Sequence, residues 1–270
     1  VEPSLRRAEI ERSRRKRTDS FGAYDCYLRA LPHVAEQMPE KAIRAIPLLD
    51  RALKLDPDYA AAHALIAWCH ELCFARGGFD EAHRSAALWH AGCVLAGDTD
   101  DGTALAVAGF VTTLLTADRD AALGAIDRGV AMNPSSTTAL FLGAQAHALA
   151  GECETAISFA DRALSLNPHD PLAFEAHMAL GESAVQDDRY EDAAACFARA
   201  ARAKPGFSTA YFDQAIALTQ AGRAGAAMDR LRRGFDLEPG FSPRAFFEHE
   251  LAEPLRERYL EGTRSLGLAV

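Results

Sequence analysis

Between positions 63 and 90 this 270-residue chain carries His63, Cys69, His70, Cys73, His83 and His90. Imidazole nitrogens and thiolates are the donors of a zinc site, which takes four of them at tetrahedral geometry. Cys69 and Cys73 are four residues apart, so a helix would put both on one face. Cys-x3-Cys within one helix is not a usual zinc spacing, however, and His70 falls on a different face from either cysteine. Cysteine also serves as a small core residue. The segment GDTDDGTAL at 97–105 is a second candidate, with the acidic spacing of the first half of a calcium loop. It lacks the glutamate needed near the twelfth position, and a helix starts too soon. Asp100 or Asp101 is expected instead to cap that helix, its carboxylate accepting from orphan backbone N–H groups.

Other chemistry finds no purchase. There is no Gly-rich phosphate loop, no Ser/His/Asp order and no pair of carboxylates placed for acid–base work. No catalytic, cofactor or metal residue is assigned, and no enzymatic activity is expected of this segment. The net charge is −9. Residues 1–18 hold seven Lys and Arg against Glu2, Glu9 and Glu11, a balance of +4, so the remainder carries −13. An acidic body repels phosphates, which argues against a nucleic-acid ligand. The basic run RRAEIERSRRKR reads as a solvated helix, because Leu5, Ala8 and Ile10 recur at helical spacing among its charges. No apolar run is long enough to span a membrane, and no signal peptide is visible. Six cysteines without a CxxC, all in alanine-rich text, fit reduced thiols in a cytoplasmic protein.

The elements that carry these residues repeat. LDPDY at 55–59, MNPSS at 132–136, LNPHD at 166–170, AKPGF at 203–207 and LEPGF at 237–241 each close an alanine-rich helical stretch. Pro134, Pro168, Pro205 and Pro239 are spaced by 34, 37 and 34 residues. A period near 34 holds two short helices and a turn, and proline ends the second because it lacks an N–H and clashes with the preceding turn. Small residues recur where two helices must approach: Ala144, Gly151, Ala156, Ala160 and Ala163 in one unit, Gly181, Ala193 and Ala200 in the next, Ala215, Ala227 and Gly234 in the last. Residues 21–57 and 60–100 are irregular, the first lacking the small pair, the second carrying an insertion around FARGGFD. No stretch alternates with period two, so the fold class is all-α.

These motifs resemble the tetratricopeptide repeat (TPR) family. The resemblance implies a right-handed α-α superhelix of about five helical hairpins plus terminal helices. It divides the chain into a linker helix at 1–18, repeats at 19–241 and capping helices at 242–270. The N-terminal LRRAEIERSRRKRTDSFGAYDCYLRALPHV resembles the junction that precedes such repeats in bacterial signalling proteins with an adenylate/guanylate-cyclase-like or winged-helix domain. RYLEGTRSLGL at 258–268 is similar to the tail of the same proteins. With Val1 as its first residue, the chain reads as the C-terminal part of such a protein.

Applying the family's register, the first helix of each hairpin turns a stripe toward a concave groove. It comprises Trp68, then Val107 and Val111, then Phe141 and Gln145, then Glu175, Met178 and Glu182, and finally Phe212 and Ile216. The stripe is apolar, holds glutamates and has no Lys or Arg. It therefore does not match the subclass that clamps a C-terminal carboxylate with basic residues. An apolar or amphipathic segment of a protein is the expected ligand, with aromatic anchors that stay partly exposed. The function expected is a non-catalytic protein-interaction module. The rivals are a freestanding scaffold and a ligand- or metal-binding sensor built on the Cys/His-rich second unit.

Overall fold

A computed structural model describes residues 22–117, 119–240, 242 and 255–267. Residues 1–18, read above as a linker helix, lie outside the described residues. Thirteen helices and no strand occur among those described. They are α1 Ala23–Val34, α2 Pro39–Leu55, α3 Ala60–Arg76, α4 Glu81–Ala96, α5 Gly102–Leu115, α6 Asp120–Met132 and α7 Thr137–Ala150. Then follow α8 Cys153–Leu166, α9 Ala173–Gln186, α10 Tyr190–Ala203, α11 Ser208–Gln220, α12 Ala224–Leu237 and α13 Leu255–Ser265. The first twelve pair into six hairpins, one more than the repeat count gave. The irregular stretch 21–57 is a full hairpin, because Cys26, Leu28, Ala30 and Val34 of α1 and Ala42, Ala45, Leu49 and Ala52 of α2 are buried.

The proline rule holds between hairpins, although Pro32 and Pro47 lie inside α1 and α2. Pro57, Pro134, Pro168, Pro205 and Pro239 each stand in the turn that follows a second helix. The turns inside the hairpins use another device. After α7, α9 and α11 the chain enters the left-handed region at Gly151, Asp188 and Gly222, with φ of 91°, 57° and 77°. The next amide then reaches back to a carbonyl five residues earlier: Glu152 N–H to His147 O, Arg189 N–H to Ala184 O, Arg223 N–H to Leu218 O, at 2.8–2.9 Å. This satisfies helix-end carbonyls and reverses the chain in two or three residues.

Helices alternate between two kinds. The first helices of the later hairpins are buried nearly all round: α7 from Ala139 to Leu149 and α11 from Ser208 to Leu218 have no exposed residue, whereas α1 buries one side and leaves Tyr24 exposed. The second helices bury one stripe only, such as Ala156, Ala160 and Ala163 of α8. Buried alanines and glycines let the paired helices approach, and large rings fill what remains. A Cβ on Gly234 would lie 2.8 Å from the Phe212 ring, and one on Gly181 would enter the ring of Phe197.

The chain forms two compact units. Unit 1 comprises residues 1–115 and 124–133, and unit 2 residues 116–123 and 134–270. Within unit 1, α3 packs on α2, α4 and α5; within unit 2, α7 stacks on α9, and α13 lies against both α9 and α11.

Candidate partner groove

Unit 2 holds most of the predicted stripe, and each member there is buried. Phe141, Met178, Glu182, Phe212 and Ile216 are at most 2% exposed, Glu175 and Gln145 only slightly more. This corrects the expectation of partly exposed anchors. Phe212 turns toward the second helix of its own hairpin, where its ring meets Phe235 at 5.0 Å between centroids and closes over Gly234. Ile216 meets another neighbour, Gly262 of α13. Gln145 on α7 donates from Nε2 to Oε1 of Glu182 on α9 at 2.8 Å, stitching two first helices together. Aromatic spacing announces large rings but not which neighbour receives them.

The helix that covers this surface is held by polar contacts at its rim. Gln220 Nε2 donates to the Arg258 carbonyl at 3.0 Å. Arg258 in turn donates to the Val185 carbonyl and pairs with the Asp188 carboxylate. Between those contacts Tyr259 and Thr263 are buried, with the Thr263 hydroxyl donating to Tyr259 O at 2.7 Å within the helix.

Beneath α13 lies a set of acidic and amide groups. Glu182 and Asp213 are each 2% exposed. Burial raises the Glu182 carboxyl from the ordinary 4.5 to about 8, with Gln145 opposing and Glu175 adding to the rise. Burial raises Asp213 as well, and Glu182 adds to it. Tyr259 is pushed up by burial, then by Asp213 and Glu182. Among the described residues, Glu182 Oε2, Asp213 Oδ1 and Gln145 Oε1 have no hydrogen-bond partner. Asp213 was not singled out from the sequence. The signal was there: it is the one carboxylate in the run TAYFDQAIAL.

Unit 1 contains the other three residues of the stripe. Trp68 is 4% exposed and meets Phe110 edge-on, and Val107 and Val111 are buried in α5. The Cys/His inventory of the same unit resolves into histidine pairs across the α3–α4 hairpin. Nδ1 of His63 lies 2.9 Å from Nδ1 of His90, and Nδ1 of His70 lies 2.8 Å from Nδ1 of His83. In each pair the ring that carries the Nδ1 proton donates and the other accepts. The positions are seven apart on each helix, a spacing visible in the sequence but missed because both helices had to be read together. Trp89 is 63% exposed and packs edge-on against His90. Among the described residues no group of three or more His, Cys, Asp or Glu side chains is placed to hold a metal ion. All six cysteines are free; burial raises the thiols of Cys26, Cys69, Cys73, Cys153 and Cys196. The acidic segment does what was expected: Ala104 N–H donates to Asp101 Oδ1 at 2.9 Å, capping α5.

The helical hairpins have a family match. Residues 116–171 and 178–235 match the tetratricopeptide repeat. No curated protein matches the chain. Among solved structures, a monomeric mutant of IFIT1 with Gppp-AAAA aligns over 99% of this chain and 64% of its own, at 13% identity and a TM-score of 0.65. The MamA protein aligns over 67% of this chain and 94% of its own, at 20% identity and a TM-score of 0.44. YrrB, a TPR protein with an unusual peptide-binding site, aligns over 80% of this chain and 97% of its own, at 16% identity and a TM-score of 0.43. The IFIT1 likeness supports the all-α TPR fold and nothing about ligands. No helix among the described residues is long and apolar enough to cross a membrane.

Proposed function

We propose that this chain is a non-catalytic TPR module that binds a protein partner by taking an amphipathic helix onto the inner surface of its repeats. One observation carries the reading: α13 lies against α9 and α11, with Gly262 closed onto Ile216 and Arg258 fastened to Val185 and Asp188. A surface that accepts one helix of this chain has the shape to accept another. Of the predicted stripe in unit 2, Ile216 is the member whose cover is a single terminal helix, while Phe141 and Phe212 are core residues. The resemblance of both end segments to cyclase-linked and winged-helix-linked repeat proteins supports a place in a cytoplasmic bacterial signalling protein, with residues 1–18 as linker and 242–270 as cap. The acidic body favours a protein over a nucleic acid.

Paired affinity captures test this. The full chain, a Gly262→Leu variant that cannot seat α13 and an Ile216→Arg variant that spoils the surface serve as baits. A partner of this groove is enriched by the first variant and depleted by the second. A partner captured equally by all three binds elsewhere.

A further inference from the structure

The polar groups under α13 are mismatched to the helix that covers them. Glu182 Oε2, Asp213 Oδ1 and Gln145 Oε1 are all acceptors when the carboxyls are ionised, all buried, and all without a hydrogen bond among the described residues. Among the described residues, the charged neighbours that shift the two carboxyls are carboxyls themselves: Glu175 on Glu182, and Glu182 on Asp213. The covering helix brings Tyr259, a phenol with one donor. Burying carboxyl groups without a countercharge forces them to hold protons and costs stability. An ammonium group reverses each term: it carries three donors and a positive charge. A lysine side chain also reaches about as far from its backbone as a tyrosine hydroxyl does, so a helix in the position of α13 would deliver the ammonium to the same place.

We propose that the inner surface of unit 2 is a docking groove for a basic amphipathic helix that sets one lysine against Glu182 and Asp213, where Tyr259 of α13 stands. This deepens, and rests on, the reading of that surface as a helix-binding groove. The partner's chemistry is defined by α13 itself. It needs a small residue three positions after the lysine, because Gly262 has no room for a Cβ beside Ile216. An arginine just before the lysine would repeat the contacts of Arg258 with Asp188 and Val185. The lysine displaces protons from the two carboxyls as it enters, so binding releases protons near neutral pH. Being buried, the contact is screened little by salt.

The test uses three synthetic peptides of residues 255–267: the native sequence, one carrying Tyr259→Lys and one carrying Tyr259→Leu. Each is titrated by calorimetry into the full chain carrying Gly262→Leu, whose own α13 is unseated, at pH 7 in two buffers of different ionisation heat, which counts the protons released. The Tyr259→Lys peptide is expected to bind at least about 10-fold tighter than the Tyr259→Leu peptide and to release protons that the Leu peptide does not. In a chain carrying Glu182→Gln and Asp213→Asn, both differences vanish. If the double variant melts below the assay temperature, Glu182→Gln alone, which keeps the side-chain shape, makes the comparison. Equal affinities of the Lys and Leu peptides for the chain that keeps Glu182 and Asp213 overturn the lysine and leave the helix groove standing. Absence of binding by all three peptides removes the groove as well.

Discussion

Gly262 of α13 stands so close to Ile216 of α11 that a Cβ on the glycine would lie 2.5 Å from the isoleucine Cγ2. The contact joins the last described helix to a residue of the predicted groove, and only glycine permits it. Gly262→Leu is therefore expected to unseat α13 at a cost of ~1–3 kcal/mol of overpacking. Hydrogen exchange reads this directly: amides of residues 255–265 lose protection while those of α7 and α8 keep theirs. Unchanged protection of α13 would show that the helix is not held at this point.

Phe141 and Phe212 behave as core residues. They are 0% and 1% exposed. Truncating either to alanine is expected to cost ~3–5 kcal/mol in a urea or thermal unfolding experiment, as for other buried rings. A loss below about 1 kcal/mol would place the ring outside the core and return it to the list of accessible anchors.

Unit 2 should weaken as pH rises. Glu182 holds its proton up to about 8 when folded and releases it near 4.5 when exposed, so the folded state binds more protons between those values. Stability contributed by this group is full below about 4.5, falls through the interval and levels off above about 8. Asp213 acts in the same direction. Glu182→Gln is expected to flatten the slope measured by chemical denaturation across this range. A slope identical to that of the native chain would mean the carboxyl is solvated in the folded state.

Unit 1 should weaken in the opposite direction. Burial, then His63 and His70, lower His90 from 6.5 to about 4; burial and then His83 lower His70, with Asp50 opposing. The unfolded chain takes up protons that the folded one refuses, so stability is lost as pH falls from about 6.5 and the loss ends near 4. Melts at pH 7 and pH 5 check this, and His90→Gln should shrink the difference. A melting temperature of unit 1, followed by tryptophan emission, that rises on acidification would contradict the lowered His90.

How much of this was readable depended on range. Proline spacing and the small residues fixed hairpins correctly, because Pro168 or Gly234 acts on its own turn or its own partner helix. Asp101 as a cap was readable for the same reason, its target lying three residues away. The direction of Phe212 was not, since the choice between Phe235 and the groove depends on how α12 packs. Nor was the cover on Ile216: sequence places Gly262 in a tail and gives no distance to a residue 46 positions earlier. The histidine pairs needed two helices in register, and Asp213 needed to be seen as buried before its chemistry mattered.

Trp68 and Trp89, the only two tryptophans of the chain, have contrasting surroundings within unit 1, and unit 2 has none. Indole emission therefore watches one unit and is blind to the other. Trp68, sealed against Phe110, should emit in the blue and shift to the red when unit 1 opens. Trp89, in the solvent and edge-on to His90, should dim as that imidazole takes a proton, because an imidazolium quenches a neighbouring indole. The molecule thus carries its own two-channel optical probe, one channel for opening of unit 1 and one for its protonation, with no label attached.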